Sequence, residues 1–111
     1  MEPTITALSN SRKKQLRTLG HGLKPIITIA EKGVTDTIHS EIERALDDHE
    51  LIKLKININD PGYRRTLAQE ICQQHRAVLV QAIGKVALIL REAKKPNPKL
   101  SNLLRSLETG R

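Results

Sequence analysis

The chain has 111 residues, the size of one domain, and its 19 Lys and Arg against 12 Asp and Glu give a net charge of +7 and a pI near 9.9, a balance that favours a polyanionic partner. With one Tyr and no Phe or Trp, the core must be built from Ile, Leu and Val, and a stacking platform of several aromatic side chains on strands is excluded. A single cysteine, Cys72, excludes an internal disulfide framework, and "MEPTITALSN" has no charged start followed by an apolar run, so no signal peptide is evident. No apolar stretch approaches the roughly 20 residues that span a bilayer, so the expected location is cytoplasmic, with no membrane partner.

Residues 1–8 read as a flexible N-terminal arm. Ser9 or Ser11 can cap a helix over "RKKQLRTLG", with Leu16, Leu19 and Leu23 in one direction and Lys13, Lys14 and Arg17 elsewhere. Gly20 and Gly22 stop this helix, and Pro25 prevents it resuming. "IITIA" is short and β-branched, as a buried strand should be. Thr35 can cap a second helix running to about His49, with Asp36 in its first turn and an apolar stripe of Ile38, Ile42, Ala45 and Leu46. "IKLKININ" alternates, with Ile52, Leu54, Ile56 and Ile58 on one face and Lys53, Lys55 and Asn57 on the other.

Asp60-Pro61 pairs a capping carboxylate with a proline at the first helical position, and the helix it starts carries Leu67, Ala68, Ile71 and Cys72 inward. "VLVQAIGKVALIL" is two apolar strands around Gly84-Lys85, a loop suited to a II′ hairpin turn. The order α-β-α-β-α-β-β predicts one α/β domain over residues 9–92 with a four-stranded mixed sheet. Residues 93–111 follow as a polar, basic linker, "EAKKPNPK", and a short amphipathic helix with Leu100, Leu103, Leu104 and Leu107 at helical spacing. This helix docks on the domain, binds a protein partner, or orders only on contact.

Charge is segregated. Arg12, Lys13, Lys14, Arg17 and Lys24 occur with no acid among them, whereas seven of the 12 acids fall between Glu31 and Glu50. The basic helix, Lys32 and the strand lysines 53 and 55 form one patch if helix, loop and strand face share a side. His21, between two glycines beside the basic helix, joins that set. The segment "IAEKGVTD" links strand to helix, where backbone N–H groups and the helix dipole can hold a phosphate and glycine permits close approach.

The surrounding segment "LRTLGHGLKPIITIAEKGVTDTIHSEIERALDDHELIKLKI" closely resembles the CRM domain, the chloroplast RNA splicing and ribosome maturation module, in its bacterial single-domain YhbY form. The resemblance rests on Leu16, Arg17, His21, Leu23, Lys24 and Pro25, then a G-x-x-G-[LV]-T loop, then Ala45, Leu46, His49, Glu50, Leu51, Ile52 and Lys53. Gln81, Ile83, Gly84, Lys85 and Arg91 match the closing hairpin. Together they cover roughly residues 9–92. Three positions depart from the family pattern: Ala30 replaces the first loop glycine, Gly20 stands where Ala is usual, and Leu90 replaces a frequent Tyr.

The resemblance implies a fold similar to the C-terminal domain of bacterial translation initiation factor 3, RNA binding, and association with precursors of the large ribosomal subunit. It implies RNA contacts at the loop, Glu31, Lys32 and Gly33, and at neighbouring basic residues, with Lys85 and Arg91 from the hairpin. Contacts should run mainly through phosphates, 2′-hydroxyls and shape.

No other chemistry competes. Cys72 and His75 have C-x-x-H spacing without a second pair, so a zinc site is not expected, and Cys72 reads as a buried thiol. His49 continues an apolar stripe. Asp47 and Asp48 are adjacent on a helix and do not face each other as an acid/base pair, and no P-loop, G-x-G-x-x-G or nucleophile triad occurs. No enzymatic activity, cofactor, metal or small-molecule substrate is expected.

Overall fold

Alternating strands and amphipathic helices put apolar side chains on both faces of one sheet. The computed structural model describes residues 8–108, with side chains through Arg105. Its elements are α1 (Asn10–Gly20), β1 (Pro25–Ile29), α2 (Asp36–His49), β2 (Leu51–Ile56), α3 (Pro61–His75), β3 (Val78–Ile83), β4 (Val86–Leu90) and α4 (Asn102–Glu108). Residues 1–7 of the expected arm, and the side chain of Leu107, lie outside the described residues. Among the described residues no helix is long and apolar enough to cross a membrane.

The caps are local chemistry. Ser9 Oγ accepts from Arg12 N, Thr35 Oγ1 from Ile38 N, and Asp60 Oδ1 from Gly62 N, each satisfying a first-turn donor that the helix leaves orphaned. The hairpin turn places Gly84 at φ +57° while Lys85 keeps a negative φ, as a II′ turn requires.

The sheet order is β1-β2-β4-β3, with β1 parallel to β2 and the other pairs antiparallel. α2 and α3 cover one face, burying Ile42, Leu46, Leu67 and Ile71 against Ile27, Ile29, Ile52, Leu54, Ile56 and Ile89. On the other face Leu16, Leu51, Val80, Leu88 and Leu90 form a second core, with Leu8, Leu19 and Leu23 packed against it. Leu8, read as part of the arm, is thus tied to the domain. β2 is correspondingly less one-sided than its alternation predicts: Leu51 joins the second core at one end, and only Lys53 and Lys55 remain polar on that face.

Gly20 has a packing role. A Cβ there would meet Leu88 Cδ2 at 2.7 Å, so the glycine lets the end of α1 lie directly on β4.

The C-terminal segment docks. Leu103 packs against the second core, and Asn102 Nδ2 donates to Leu51 O. Glu50 is buried, and its carboxylate accepts from Ala93 N at 2.6 Å and Ser101 Oγ at 2.5 Å. Glu50 adopts φ +65°, outside the comfortable range for a side-chain-bearing residue, where the end of α2 turns directly into β2. Ser101 also accepts from Leu104 N, so the helix begins at Asn102, two residues later than the leucine spacing predicts.

Candidate nucleic-acid interface

The connection from β1 to α2 closes as a turn in which Gly33 N donates to Ala30 O at 2.9 Å. Gly33 sits at φ +88°, a conformation any side chain would strain. That amide is therefore already satisfied. The amides of Glu31 and Lys32 have no acceptor among the described residues, and both side chains are exposed.

The turn lies at one end of the sheet, and three other segments converge there. Asn57 N donates to Ile29 O, and Asn57 Oδ1 accepts from Lys85 Nζ at 3.2 Å, which joins the β2–α3 connection to the hairpin. Arg64 Nη1 donates to Ile58 O and Asn59 O, fixing that connection against the first turn of α3. Tyr63, also in that first turn, places Oη 3.8 Å from where a Cβ on Gly33 would sit. A cavity of about 110 Å³ between the start of α3 and the hairpin is lined by Pro61, Arg64, Arg65, Gly84 and Lys85, among others. Arg64 Nε is buried there without a partner among the described residues.

The strand lysines share a face with α1. Lys53 pairs with Leu88, a member of the core under α1, and Lys55 pairs with Val86 and Thr28 on the same side. α1 ends against Leu88, so the row Thr28, Lys55, Val86 and Ile83 stays open beyond it, with Ile83 65% exposed. Lys24 precedes Pro25, whose register partner is Lys53. One side of the molecule thus carries Arg17, His21, Lys24, Lys53 and Lys55, and the end of the sheet adds Glu31, Lys32, Gly33 and Lys85.

The remaining expected contacts lie farther from the turn. Arg12 Nη2 pairs with Glu92 at 3.5 Å, just past the far end of β4, and Lys13 and Lys14 belong to the same first turns of α1. Arg91 does not join the patch. Its Nη1 donates to both Glu43 carboxylate oxygens and to His75 O, each at 3.0 Å, and its Nη2 donates to Asp47 at 2.9 Å. The guanidinium is neutralised by two acids of α2, at the end of β4 opposite Lys85.

The hydrogen bond from Arg91 holds the Glu43 carboxyl below its ordinary range against partial desolvation, with His75 adding in the same direction. His75 Nδ1 lies 2.6 Å from Glu43 Oε2, and its Nε2 lies 2.8 Å from His39 Nδ1. His75 therefore closes a polar cluster between α2 and α3. Burial pushes the Cys72 thiol up to about 12, as befits an inert core cysteine.

Two groupings escape sequence reasoning. The run Tyr63-Arg64-Arg65 follows a recognisable helix start, but only the topology sets it beside the 30–33 turn. The Glu43, His75 and Arg91 cluster joins residues 16 to 48 positions apart, and no spacing rule reaches that far.

Comparison with known proteins agrees with this architecture. The CRS1 / YhbY (CRM) domain profile matches residues 8–91. The chain is 50% identical over 99 residues to the Probable RNA-binding protein PA4753 of Pseudomonas aeruginosa, an alignment covering 89% of this chain and 95% of that one. It is 32% identical over 96 residues to an RNA-binding protein of Haemophilus influenzae, covering 86% of this chain and 97% of that one. The solution structure of a hypothetical Staphylococcus aureus protein, proposed to bind RNA, superposes with a TM-score of 0.72 at 32% identity, covering 85% of this chain and 97% of the other. The chain belongs to the CRS1 / YhbY (CRM) domain family.

Proposed function

We propose that this protein binds RNA along the α1 face of its sheet, that the Ala30–Gly33 turn takes a backbone phosphate, and that the RNA is ribosomal. The observation carrying this reading is the convergence at one sheet end of an exposed Lys32, a left-handed Gly33, two amides without acceptors and Lys85. Amides and ammonium groups at such a turn suit an anion, and Lys55, Lys53 and Lys24 extend the positive surface at the spacing of a sheet face. Relatives named as RNA-binding proteins supply the polyanion.

The cellular role we infer is that of an assembly factor on precursors of the large ribosomal subunit, acting as a binding protein and not as an enzyme. The buried Ser101 and packed Leu103 favour α4 as a structural part of the domain over a free helix awaiting a protein partner. Sedimenting a lysate through sucrose at low and high salt tests the ribosomal reading. Co-migration with large-subunit precursors, lost at high salt, is the expected result; a protein that stays at the top at every salt overturns it.

A further inference from the structure

Tyr63, the only Phe, Tyr or Trp residue of this chain, is not in its core. Tyr63 is 42% exposed, although burying a ring contributes more apolar area than burying any aliphatic side chain the core uses. It stands in the first turn of α3, on a backbone fixed by the Asp60 cap and by the two bonds from Arg64 to the preceding loop. Its hydroxyl lies against Gly33, and no acceptor or donor engages it among the described residues. Arg65, its exposed neighbour, makes no ion pair among the described residues.

We propose that Tyr63 is a stacking platform for one unpaired nucleobase of the RNA, set beside the phosphate site of the Ala30–Gly33 turn. The inference rests on the RNA reading above and narrows it: the ligand is a single-stranded segment, because a base still stacked in a helix offers no free face. Phosphate contacts alone are indifferent to strandedness. A fixed aromatic ring next to them is not, since every unpaired base presents a π-face to it. The first turn of α3 keeps the ring's Cα in place, and the ring keeps 42% of its residue's surface exposed beside the turn.

Because the chain has one Tyr and no Trp or Phe, tyrosine emission reports on this ring alone. The test titrates the full chain with a short unstructured oligouridylate and with a perfectly paired RNA duplex, reading emission, and measures binding independently by filter retention. The expected result is quenching by the single strand and tighter retention of it than of the duplex. Tyr63→Phe should retain binding, whereas Tyr63→Leu, which keeps apolar cover over the turn, should lose roughly ten-fold in affinity for the single strand. That loss should persist as salt is raised, because stacking releases no counterions.

Retention of the single strand with unchanged tyrosine emission, or with Tyr63→Leu binding as tightly as the unaltered protein, overturns the stacking role and leaves RNA binding standing. Retention of neither RNA by the unaltered protein overturns the RNA reading and this proposal with it.

Discussion

Replacing Arg91 by Ala removes the guanidinium that pairs with both Glu43 and Asp47, and it frees the carbonyl of His75. Both carboxylates are substantially exposed and remain hydrated, so the expected loss is about 1–2 kcal/mol of folding stability, measured by denaturant titration. Affinity for RNA should be unchanged in that variant at a temperature where it is folded. Glu43 gives a second test. Its folded pKa lies below the ordinary 4.5, so the unfolded chain takes up that proton first. The stability it contributes is fully present above about pH 4.5 and is lost as pH falls through the folded value. Glu43→Gln should therefore flatten the dependence of stability on pH below 4.5 and leave it unaltered above. The resemblance placed Arg91 among the RNA contacts because a sequence reveals a charge, not the acids that neutralise it from 44 and 48 residues away.

At the scale of elements, much was legible because the signals are local. Thr35, Asp60-Pro61 and Gly84 each mark a boundary through a cap or a φ requirement that neighbouring residues satisfy, and the observed α2, α3 and hairpin begin where those residues say. What was not legible depends on long-range partners. α1 and α4 share a sheet face because Leu16 and Leu103 meet one core, and neither segment's periodicity names the other. Leu100 has helical spacing with Leu103 and Leu104 yet lies outside α4, because Ser101 caps the helix and is itself held by Glu50. Ser101→Ala should thus act at two places, leaving the buried Glu50 carboxylate with one donor fewer and α4 without its cap. We expect a loss of about 1–3 kcal/mol. Faster hydrogen exchange should appear in α4 and around Glu50 with α2 and α3 little affected; uniform change across the chain would contradict this assignment.

Across the whole molecule, charge and layers coincide. α2 carries Asp36, Glu41, Glu43, Asp47 and Asp48 on one side of the sheet, whereas α1, Lys24, Lys53 and Lys55 lie on the other. A net charge of +7 is therefore divided between a mixed, acid-rich face and a basic one, which orients the molecule toward a polyanion. Glu31 interrupts the basic end of this surface beside Lys32. Glu31→Lys should strengthen RNA binding at low salt and steepen its salt dependence, while reversing an acid on the α2 face, as in Glu41→Lys, should have the smaller effect because it lies on the opposite layer.

The most direct test of the central claim, that the Ala30–Gly33 turn holds an RNA phosphate, is the salt dependence of RNA binding for the unaltered protein and for Lys32→Ala. If Lys32 neutralises a phosphate, the variant should bind more weakly at every salt concentration. Its plot of log affinity against log salt should be shallower by about 0.7–0.9. Equal affinity and equal slope for the two proteins, with Lys32→Ala as stable as its parent, would contradict the account and remove the turn from the interface.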